Sequence, residues 1–142
     1  MADTIEALAS KTEITELLHR YALNIRRREH GLCAELFTED SSFEVRDAHP
    51  MRPETLTTRS FAEGREAVVA SMGASRETTR VFPAIHNLLI ELDGDTASAT
   101  SLMVALVFPG GGEMLGEYED HFRREHGRWL FKSRCYTIYR ET

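Results

Sequence analysis

The sequence predicts an α+β fold in which helices precede a mainly antiparallel sheet. Near the start of the chain, apolar residues recur at three- and four-residue steps, which is typical of an amphipathic helix. From about residue 80, the chain consists of long stretches rich in β-branched and aromatic residues, separated by short turns. Helices followed by consecutive strands indicate a meander sheet and argue against a parallel α/β layout.

Three helices are predicted from caps and periodicity. Ser-Lys-Thr-Glu at positions 10–13 has the form of a capping box, and the apolar stripe after it runs to about Arg27. A short second helix is expected around 32–37, ending near residues 38–40. A second capping box, Ser-Phe-Ala-Glu at 60–63, predicts the start of a third helix that carries Met72.

Four long strands are predicted in the second half of the chain. Asp-Gly-Asp at 93–95 supplies a tight hairpin turn between the first two. Glycine-containing segments separate the others. The predicted strands are 81–92, 96–108, 114–123 and 128–139.

The segment between the second and third helices is predicted to be mostly irregular. Residues 42–46 alternate apolar and polar side chains and can form a short strand. Residues 47–59 hold two prolines and several threonines, with little periodicity. We expect a long loop there, at the rim of a pocket or as its lid.

Length and charge exclude several classes of protein. The 142 residues correspond to one ordinary domain, and we predict a single domain over 1–142. A formal net charge of −6 argues against nucleic-acid binding. No apolar run is long enough to span a membrane, and the amino-terminal residues do not form a signal peptide. We therefore expect a cytoplasmic protein without nucleic-acid or membrane partners.

Metal and cofactor motifs are missing from the sequence. Cys33 and Cys135 have no metal-ligand spacing, and the histidines show none either. The glycines at 110–112 lack the lysine and the following helix of a phosphate-binding loop. We expect neither a metal nor a cofactor.

Six short motifs occur in an order that is found in one superfamily. Together they make the chain, from about residue 5 to residue 140, resemble the SnoaL-like branch of the NTF2-like superfamily. The motifs are Arg-Tyr-Ala at 20–22, Leu-Phe-Thr-Glu-Asp at 36–40, Phe-Ala-Glu-Gly-Arg-Glu-Ala-Val at 61–68, the segment 86–97, Gly-Glu-Tyr-Glu-Asp at 116–120 and Gly-Arg-Trp at 127–129.

The resemblance implies a fold, a ligand and an assembly. Similar proteins fold as a cone-shaped α+β barrel, also called cystatin-like, in which amino-terminal helices pack on a strongly bent, mainly antiparallel sheet. A deep apolar cavity lies between the helices and the sheet. The superfamily includes scytalone dehydratase, polyketide cyclases and ketosteroid isomerase. It therefore implies a small hydrophobic ligand and a homodimer or homotrimer.

The dehydratase-like members use a histidine oriented by an aspartate as the general base. In this chain Arg26 takes the place of the aspartate and Pro83 takes the place of the histidine, so the pair cannot be transferred. We predict that Arg26 points into the cavity, where its guanidinium binds a carboxylate or an enolate oxygen. The alternative is a solvated residue at a helix end or a structural ion-pair partner.

His86 and Asn87 are the polar candidates on the first long strand. Strand alternation places His86 on the face opposite position 83, unless a bulge at Pro83 changes the register. It is either a relocated base or a residue of the convex face. Asn87 has the same parity as position 83 and is predicted to face the cavity as a polar anchor.

Tyr118 and Asp120 lie two residues apart on one predicted strand and so share a face, which the resemblance places in the cavity. The tyrosine can donate to an oxyanion, and a desolvated aspartate can act as a base. Alternatively, Asp120 neutralises a buried arginine, Arg26 or Arg134, and its pKa is then lowered. Tyr21 is expected in the cavity wall, as a core residue or with a role in substrate binding.

These observations favour an enzyme, a cofactor-free lyase, isomerase or cyclase. It would act by proton transfer on a small, largely apolar carbonyl or hydroxyl substrate. Asp120 or His86 would be the base, and Tyr118 and Arg26 would stabilise the oxyanion. The alternatives are a non-catalytic binding protein for a hydrophobic acid and an accessory or structural subunit.

Overall fold

The computed structural model describes residues 2–73 and 78–141. This part of the chain contains three helices and six strands. The helices are α1 (Ala2–Arg27), α2 (His30–Ala34) and α3 (Arg65–Gly73), and the strands are β1 (Phe37–His49), β2 (Arg52–Glu63), β3 (Arg80–Asp93), β4 (Thr96–Phe108), β5 (Gly112–Glu125) and β6 (Arg128–Tyr139).

The six strands form one sheet in the order β2-β1-β6-β5-β4-β3. Neighbouring strands are antiparallel except β1 and β6, which pair in parallel. The sheet curls around α1 but does not close, because β2 and β3 remain its two edges. The predicted α+β fold with a bent, mainly antiparallel sheet is confirmed, and the cone is open along one side.

The first helix is longer than the sequence pattern predicted. It begins at Ala2, so the capping box at 10–13 lies inside the helix and caps nothing. The preceding residues are mostly good helix formers with no glycine or proline, and nothing interrupts the turn. Glu13 has another role, because its carboxylate accepts a hydrogen bond from the backbone N–H of Trp129 at 2.6 Å. That contact ties α1 to β6.

The end of α1 is set by a Schellman motif. Arg28 has φ +58°, and its N–H donates to the Ile25 carbonyl at 3.1 Å. The N–H of Glu29 donates to the Asn24 carbonyl at 2.9 Å, which completes the pair of bonds that closes such a helix end. Glycine usually occupies this left-handed position, but here an arginine does. The chain reverses at Arg28 and leads directly into α2.

Most of the segment predicted as a short helix, a short strand and a loop is a long β-hairpin formed by β1 and β2. The helix α2 ends at Ala34, and β1 already begins at Phe37. Residues 47–59, predicted as a loop or lid, belong to β1 and β2, which pair across a two-residue turn between His49 and Arg52. Pro53 is tolerated because β2 is an edge strand. The prediction of a loop over 47–59 is therefore wrong.

The prediction of a second capping box at residues 60–63 is also wrong, although the predicted third helix exists. Residues 60–63 lie in β2, and Gly64, with φ +90°, turns the chain into α3. The Gly64 N–H donates to the Ser41 carbonyl at 2.7 Å, and its own carbonyl accepts from Val68 at 2.9 Å. Glycine at this turn therefore supplies the helix start that the serine was expected to provide.

The four carboxyl-terminal strands are those that the sequence predicts. β3 contains one irregularity between His86 and Leu89, where Asn87 has φ +51°. A bulge of this kind changes which residues face inward beyond it. No helix in the described ranges is long and apolar enough to cross a membrane.

The core lies between α1 and the concave face of the sheet. Its centre is aromatic, with the ring centroids of Phe37 and Phe131 5.0 Å apart and those of Phe122 and Phe131 5.2 Å apart. Tyr21 of α1 packs edge-on against Phe131 at 5.8 Å. These contacts fix the inner end of the space in which the candidate site lies.

Candidate functional site: a tyrosine-lined cavity

A cavity of about 260 Å³ opens between α1, α3 and the concave face of the sheet. Its inner wall is formed by buried side chains and its mouth by partly exposed ones. The described lining residues are Tyr21, Ile25, Arg28, His30, Phe43, Val45, Ser60, Ser71, Met72, Thr79, Val81, Pro83, Met103, Met114, Tyr118, Tyr136 and Ile138.

Three tyrosines form the inner end of the cavity. The ring of Tyr118 lies against that of Tyr136 with centroids 4.8 Å apart, and Tyr21 meets Tyr118 edge-on at 6.5 Å. Burial raises the pKa of all three phenols. Each hydroxyl is therefore protonated at neutral pH and can donate a hydrogen bond.

The Tyr136 hydroxyl differs from most buried hydroxyls. The residue is 7 % exposed, and its oxygen has no hydrogen-bond partner within residues 2–73 and 78–141. Leaving a buried hydroxyl unpaired costs free energy, so such groups usually have a partner. Tyr136 lines the cavity. A ligand oxygen in that cavity can supply the partner.

Glycine at position 116 makes room for Tyr136. A Cβ atom at Gly116 would meet Cε1 of the tyrosine ring, with Cζ at 2.9 Å and the Thr137 carbonyl oxygen at 2.5 Å. The ring therefore lies over the bare backbone of β5. This packing holds the hydroxyl in the cavity wall.

Behind the tyrosines lies a completely buried ion pair. Arg134 donates from Nε and Nη2 to the two carboxylate oxygens of Asp120, at 2.8 and 3.1 Å, and both side chains have 0 % exposure. The guanidinium carbon lies 3.6 Å from the ring centroid of Tyr118, 4.4 Å from that of Tyr21 and 4.5 Å from that of Phe131. Pairing and cation–π contacts together stabilise the buried charge.

The pair confirms one of the two predicted interpretations of Asp120, with Arg134 as its partner. The expected direction of the pKa shift is wrong. Burial raises the pKa of Asp120, and the opposing effect of Arg134 does not outweigh complete desolvation. Burial also lowers the pKa of Arg134, but Asp120 and the neighbouring tyrosines more than reverse that effect. Since both carboxylate oxygens bind the guanidinium, Asp120 is badly placed to accept a proton from a ligand.

The mouth of the cavity carries Arg28 and His30. The helix end described above turns the Arg28 side chain toward β3, where Nη1 donates to the Thr79 carbonyl at 3.0 Å. Burial lowers the pKa of His30, and the positive charge of Arg28 lowers it further. The imidazole is therefore neutral at pH 7 and retains a basic nitrogen.

The structure brings only some of the predicted site residues together. Tyr21 and Tyr118 line the cavity as predicted, and Asp120 lies behind it. Arg26 is exposed on the last turn of α1 and is not among the lining residues. The predicted inward orientation of its side chain is therefore wrong, because the solvated side of the helix end falls at this position.

His86 and Asn87 also lie outside the cavity. His86 is exposed on the face of β3 opposite Pro83, as simple alternation predicts without a bulge at the proline. Asn87 occupies the bulge itself and is exposed, so its predicted inward orientation is wrong. The catalytic role of His86 and the substrate-binding role of Asn87 stay predictions, and the positions of the two residues do not favour them.

Three residues of the cavity with ionisable side chains, Arg28, His30 and Tyr136, were missed by sequence reasoning. Arg28 directly follows Arg26 and Arg27, and His30 has no metal-ligand spacing, so neither residue is marked as part of a cavity. Tyr136 shares its face of β6 with Arg134 and Ile138, a pattern that is visible in the sequence. Nothing in the sequence marks Arg28, because its placement depends on a left-handed backbone conformation that arginine rarely adopts. No cluster of metal-ligating side chains occurs among the residues that the structure describes.

Solved structures with the same fold cover almost the whole chain. Rv3472 from Mycobacterium tuberculosis, a protein of unknown function, is 26 % identical, with a TM-score of 0.80 over 96 % of this chain and 76 % of its own. An NTF2-like protein with a cystatin-like fold from Novosphingobium aromaticivorans is 21 % identical, with a TM-score of 0.79 over 99 % and 89 %. The type 2 hexachlorocyclohexane dehydrochlorinase LinA is 15 % identical, with a TM-score of 0.71 over 95 % and 88 %.

Sequence comparison identifies the family. No curated protein sequence matches the chain. The model of the SnoaL-like domain matches residues 6–135, which include α2, α3, β1 to β5 and most of α1 and β6. The chain belongs to the SnoaL-like domain family.

Proposed function

We propose that the protein binds a small, largely apolar carbonyl or hydroxyl compound in the tyrosine-lined cavity and catalyses proton transfer on it. It would act without a cofactor, as a lyase, isomerase or cyclase. The fold is shared with a hexachlorocyclohexane dehydrochlorinase, so it can house the conversion of a small molecule. Because fold alone does not fix function, the proposal depends on the cavity itself.

The unpartnered hydroxyl of Tyr136 carries the proposal. It is a buried donor in a wall that is otherwise largely apolar. A ligand that fills the cavity and places a carbonyl or hydroxyl oxygen near it would satisfy the donor and bury its own apolar surface. Small-molecule sites commonly combine an apolar wall with a few such polar groups.

His30 is the group best suited to accept a proton. A neutral imidazole at the mouth could remove a proton from a carbon next to a carbonyl, while the electron pair of the C–H bond moves toward the carbonyl oxygen. The resulting oxyanion would be stabilised by the phenol of Tyr136, whose raised pKa keeps the O–H in place. The later return of the proton from the imidazolium would regenerate the neutral base.

Replacement of the Tyr136 hydroxyl tests ligand binding. We expect Tyr136→Phe to weaken the best ligand from a screen of small carbonyl compounds by about tenfold, since one buried hydrogen bond is lost. The free energy of unfolding of the Tyr136→Phe variant should differ from that of the unchanged protein by less than about 0.5 kcal/mol, because the hydroxyl has no partner among the described residues. Tyr139→Phe is the matched control, since that hydroxyl donates to Glu117 outside the cavity. Equal binding by both variants would refute the role of Tyr136.

Replacement of His30 separates catalysis from binding. We expect His30→Gln to lower kcat by about 100-fold or more, which is typical of losing a general base. His19→Gln, on the exposed side of α1, is the control and should retain activity. If His30→Gln turns over substrate as fast as the unchanged protein, the proposed base is wrong.

A non-catalytic binding protein is the second candidate. It is favoured by one observation: the only carboxylate close to the tyrosines, among the residues described, is held by Arg134. This candidate predicts saturable ligand binding with no chemical change in the bound compound. Recovery of the unchanged ligand after prolonged incubation, monitored by mass spectrometry, would support it over the enzyme.

A further inference from the structure

We infer that the protein forms a two-fold symmetric dimer through the convex face of its sheet, with β4 of one copy packed against β4 of the other. The inference is independent of the proposed function, because the cavity lies on the opposite, concave face. It follows from an apolar surface on the convex face and from the charges on either side of that surface.

The convex face carries an apolar patch that extends over three neighbouring strands. Alternation along β3, β4 and β5 directs one set of side chains to the concave core and the other set outward. The outward set includes Phe82 and Phe108, each 43 % exposed, whose rings meet edge-on with centroids 5.4 Å apart. Adjoining exposed apolar groups of this kind typically mark an interaction surface. The outer patch consists of Phe82, Leu102, Val104, Leu106, Phe108 and Leu115.

The sequence of β4 indicates a strand that is covered on both faces. Residues 102–108 are apolar at every position and read Leu-Met-Val-Ala-Leu-Val-Phe. Met103 and Ala105 are buried in the concave core, whereas Leu106 faces outward and is 43 % exposed. A strand with one face in water usually alternates apolar and polar residues, and a continuous apolar run is typical of a strand buried on both faces. The residues that the structure describes cover only one face of β4.

Charged side chains of opposite sign flank the outer patch in matching rows. His86 of β3 and Glu117 of β5 both pair with Leu102 of β4, so they lie on either side of it. Glu91 of β3 and His121 of β5 share another row, with the signs exchanged. Two strand spacings separate the members of each row by roughly 10 Å, which is too far for them to pair within one chain.

A two-fold axis parallel to β4 brings these charges together. Rotation about such an axis places β3 of each copy over β5 of the other and leaves β4 over β4. His86 then meets Glu117 of the second copy, and Glu91 meets His121 of the second copy, each pair occurring twice. An imidazole can donate a hydrogen bond to a carboxylate in either protonation state.

An axis perpendicular to the strands would be unfavourable. It would stack β5 on β5 and, when centred on the outer patch, would place Glu113 against Glu117 of the second copy. Like charges in contact across an interface weaken association. The charge pattern therefore favours a second copy of this chain, in one orientation, as the partner that covers the patch.

Sedimentation equilibrium of the whole chain tests the assembly. We expect a dimer of about twice the chain mass of 16.1 kDa at concentrations between about 5 and 200 μM. Leu106→Glu should make the protein monomeric over this range, because each new carboxylate would face its own copy across the axis. Leu8→Glu, at a leucine of α1 that is 62 % exposed, is the matched control and should leave the dimer intact. Circular dichroism should show the same fold in both variants, since both leucines are exposed.

Charge reversal tests the orientation of the two copies. His86→Glu places a carboxylate beside Glu117 of the second copy and should weaken the dimer at least about tenfold. Adding Glu117→Lys restores opposite charges and should return the Kd to within about threefold of that of the unchanged protein. His19→Glu adds the same charge on the exposed side of α1 and should change the Kd by less than about threefold.

The outcomes decide the inference without reference to the cavity. A monomer at every concentration, a trimer, or a dimer that survives Leu106→Glu would overturn it. A dimer that His86→Glu leaves unchanged, or that Glu117→Lys fails to restore, would overturn the orientation and with it the inference. Ligand binding in the cavity is tested separately by Tyr136→Phe, so failure of the dimer leaves the proposed function intact.

Discussion

The buried ion pair between Asp120 and Arg134 is the feature whose removal should be most damaging to the fold. Asp120→Asn keeps the shape of the side chain and removes its charge, which leaves the guanidinium without a counter-ion at 0 % exposure. Loss of one partner from a buried pair costs about 3–5 kcal/mol, because the other charge remains desolvated.

The surroundings of Arg134 place the expected cost near the lower end of that range. The centroids of three aromatic rings remain 3.6 to 4.5 Å from the guanidinium carbon. Each such cation–π contact contributes on the order of 0.5–2 kcal/mol. The amide oxygen of the new side chain also still accepts one hydrogen bond. We therefore expect Asp120→Asn to lower the free energy of unfolding by about 3 kcal/mol, and Tm by about 10 °C for a chain of this size.

A second variant separates the charge from the packing. Asp120→Leu combined with Arg134→Met removes both charges. The free energy of unfolding of this double variant should lie within about 1 kcal/mol of that of the unchanged protein, because neither charge remains to be desolvated. Urea unfolding followed by circular dichroism measures both variants. A loss below about 1 kcal/mol in Asp120→Asn, or a double variant less stable than the single one, would refute this account of the pair.

Three further perturbations test other parts of the structure. Gly116→Ala should cost about 1–3 kcal/mol in urea unfolding, because the added methyl group displaces the ring of Tyr136; an unchanged midpoint would contradict that packing. Glu13→Ala removes the acceptor that ties α1 to β6 and should cost about 1–2 kcal/mol, whereas Glu16→Ala, at an exposed ion pair, should cost less than about 0.5 kcal/mol. The pKa of His30 is lower in the folded protein than its ordinary value of 6.5. The neutral imidazole therefore contributes stability above pH 6.5, and this contribution is lost as the pH falls through the folded-state pKa. His30→Gln should accordingly flatten the fall in urea midpoint between pH 7.5 and 5. Parallel pH curves for the two proteins would contradict the shift.

The strands that were predicted correctly are those whose pattern is local. β3 to β6 are long, rich in β-branched and aromatic residues and joined by short turns, so neighbouring residues contain the necessary information. β2 was missed because nearly all of its residues are exposed, and an exposed edge strand shows no apolar alternation. Its prolines and threonines therefore resembled a loop.

The pairing of Asp120 with Arg134 could not be predicted from the sequence for a different reason. Counting back from the turn after β5, an unbroken hairpin would place Ser133 opposite Asp120. The irregularity between His121 and Phe122 shifts the register by one residue and brings Arg134 opposite instead. The two charged residue types were visible in the sequence, but the bulge that aligns them depends on packing between strands.

The site was predicted least well because its mouth depends on a chain reversal. Arg28 and His30 reach the cavity only because the chain turns through a left-handed residue at the end of α1. Had glycine occupied that position, the helix end would have been recognisable but the cavity would have lacked its arginine. Arg26, two residues earlier, is still part of the regular helix and lies on its solvent-exposed side.

The parallel pairing of β1 with β6 has a consequence for synthesis of the chain on the ribosome. Phe43 of β1 lies beside Arg134 of β6, and the two are separated by most of the sequence. The amino-terminal hairpin therefore has no sheet to join until the last strand has left the exit tunnel. Contacts so distant in sequence are slow to form. Until then, the residues of β1 that later line the cavity have no β6 to lie beside.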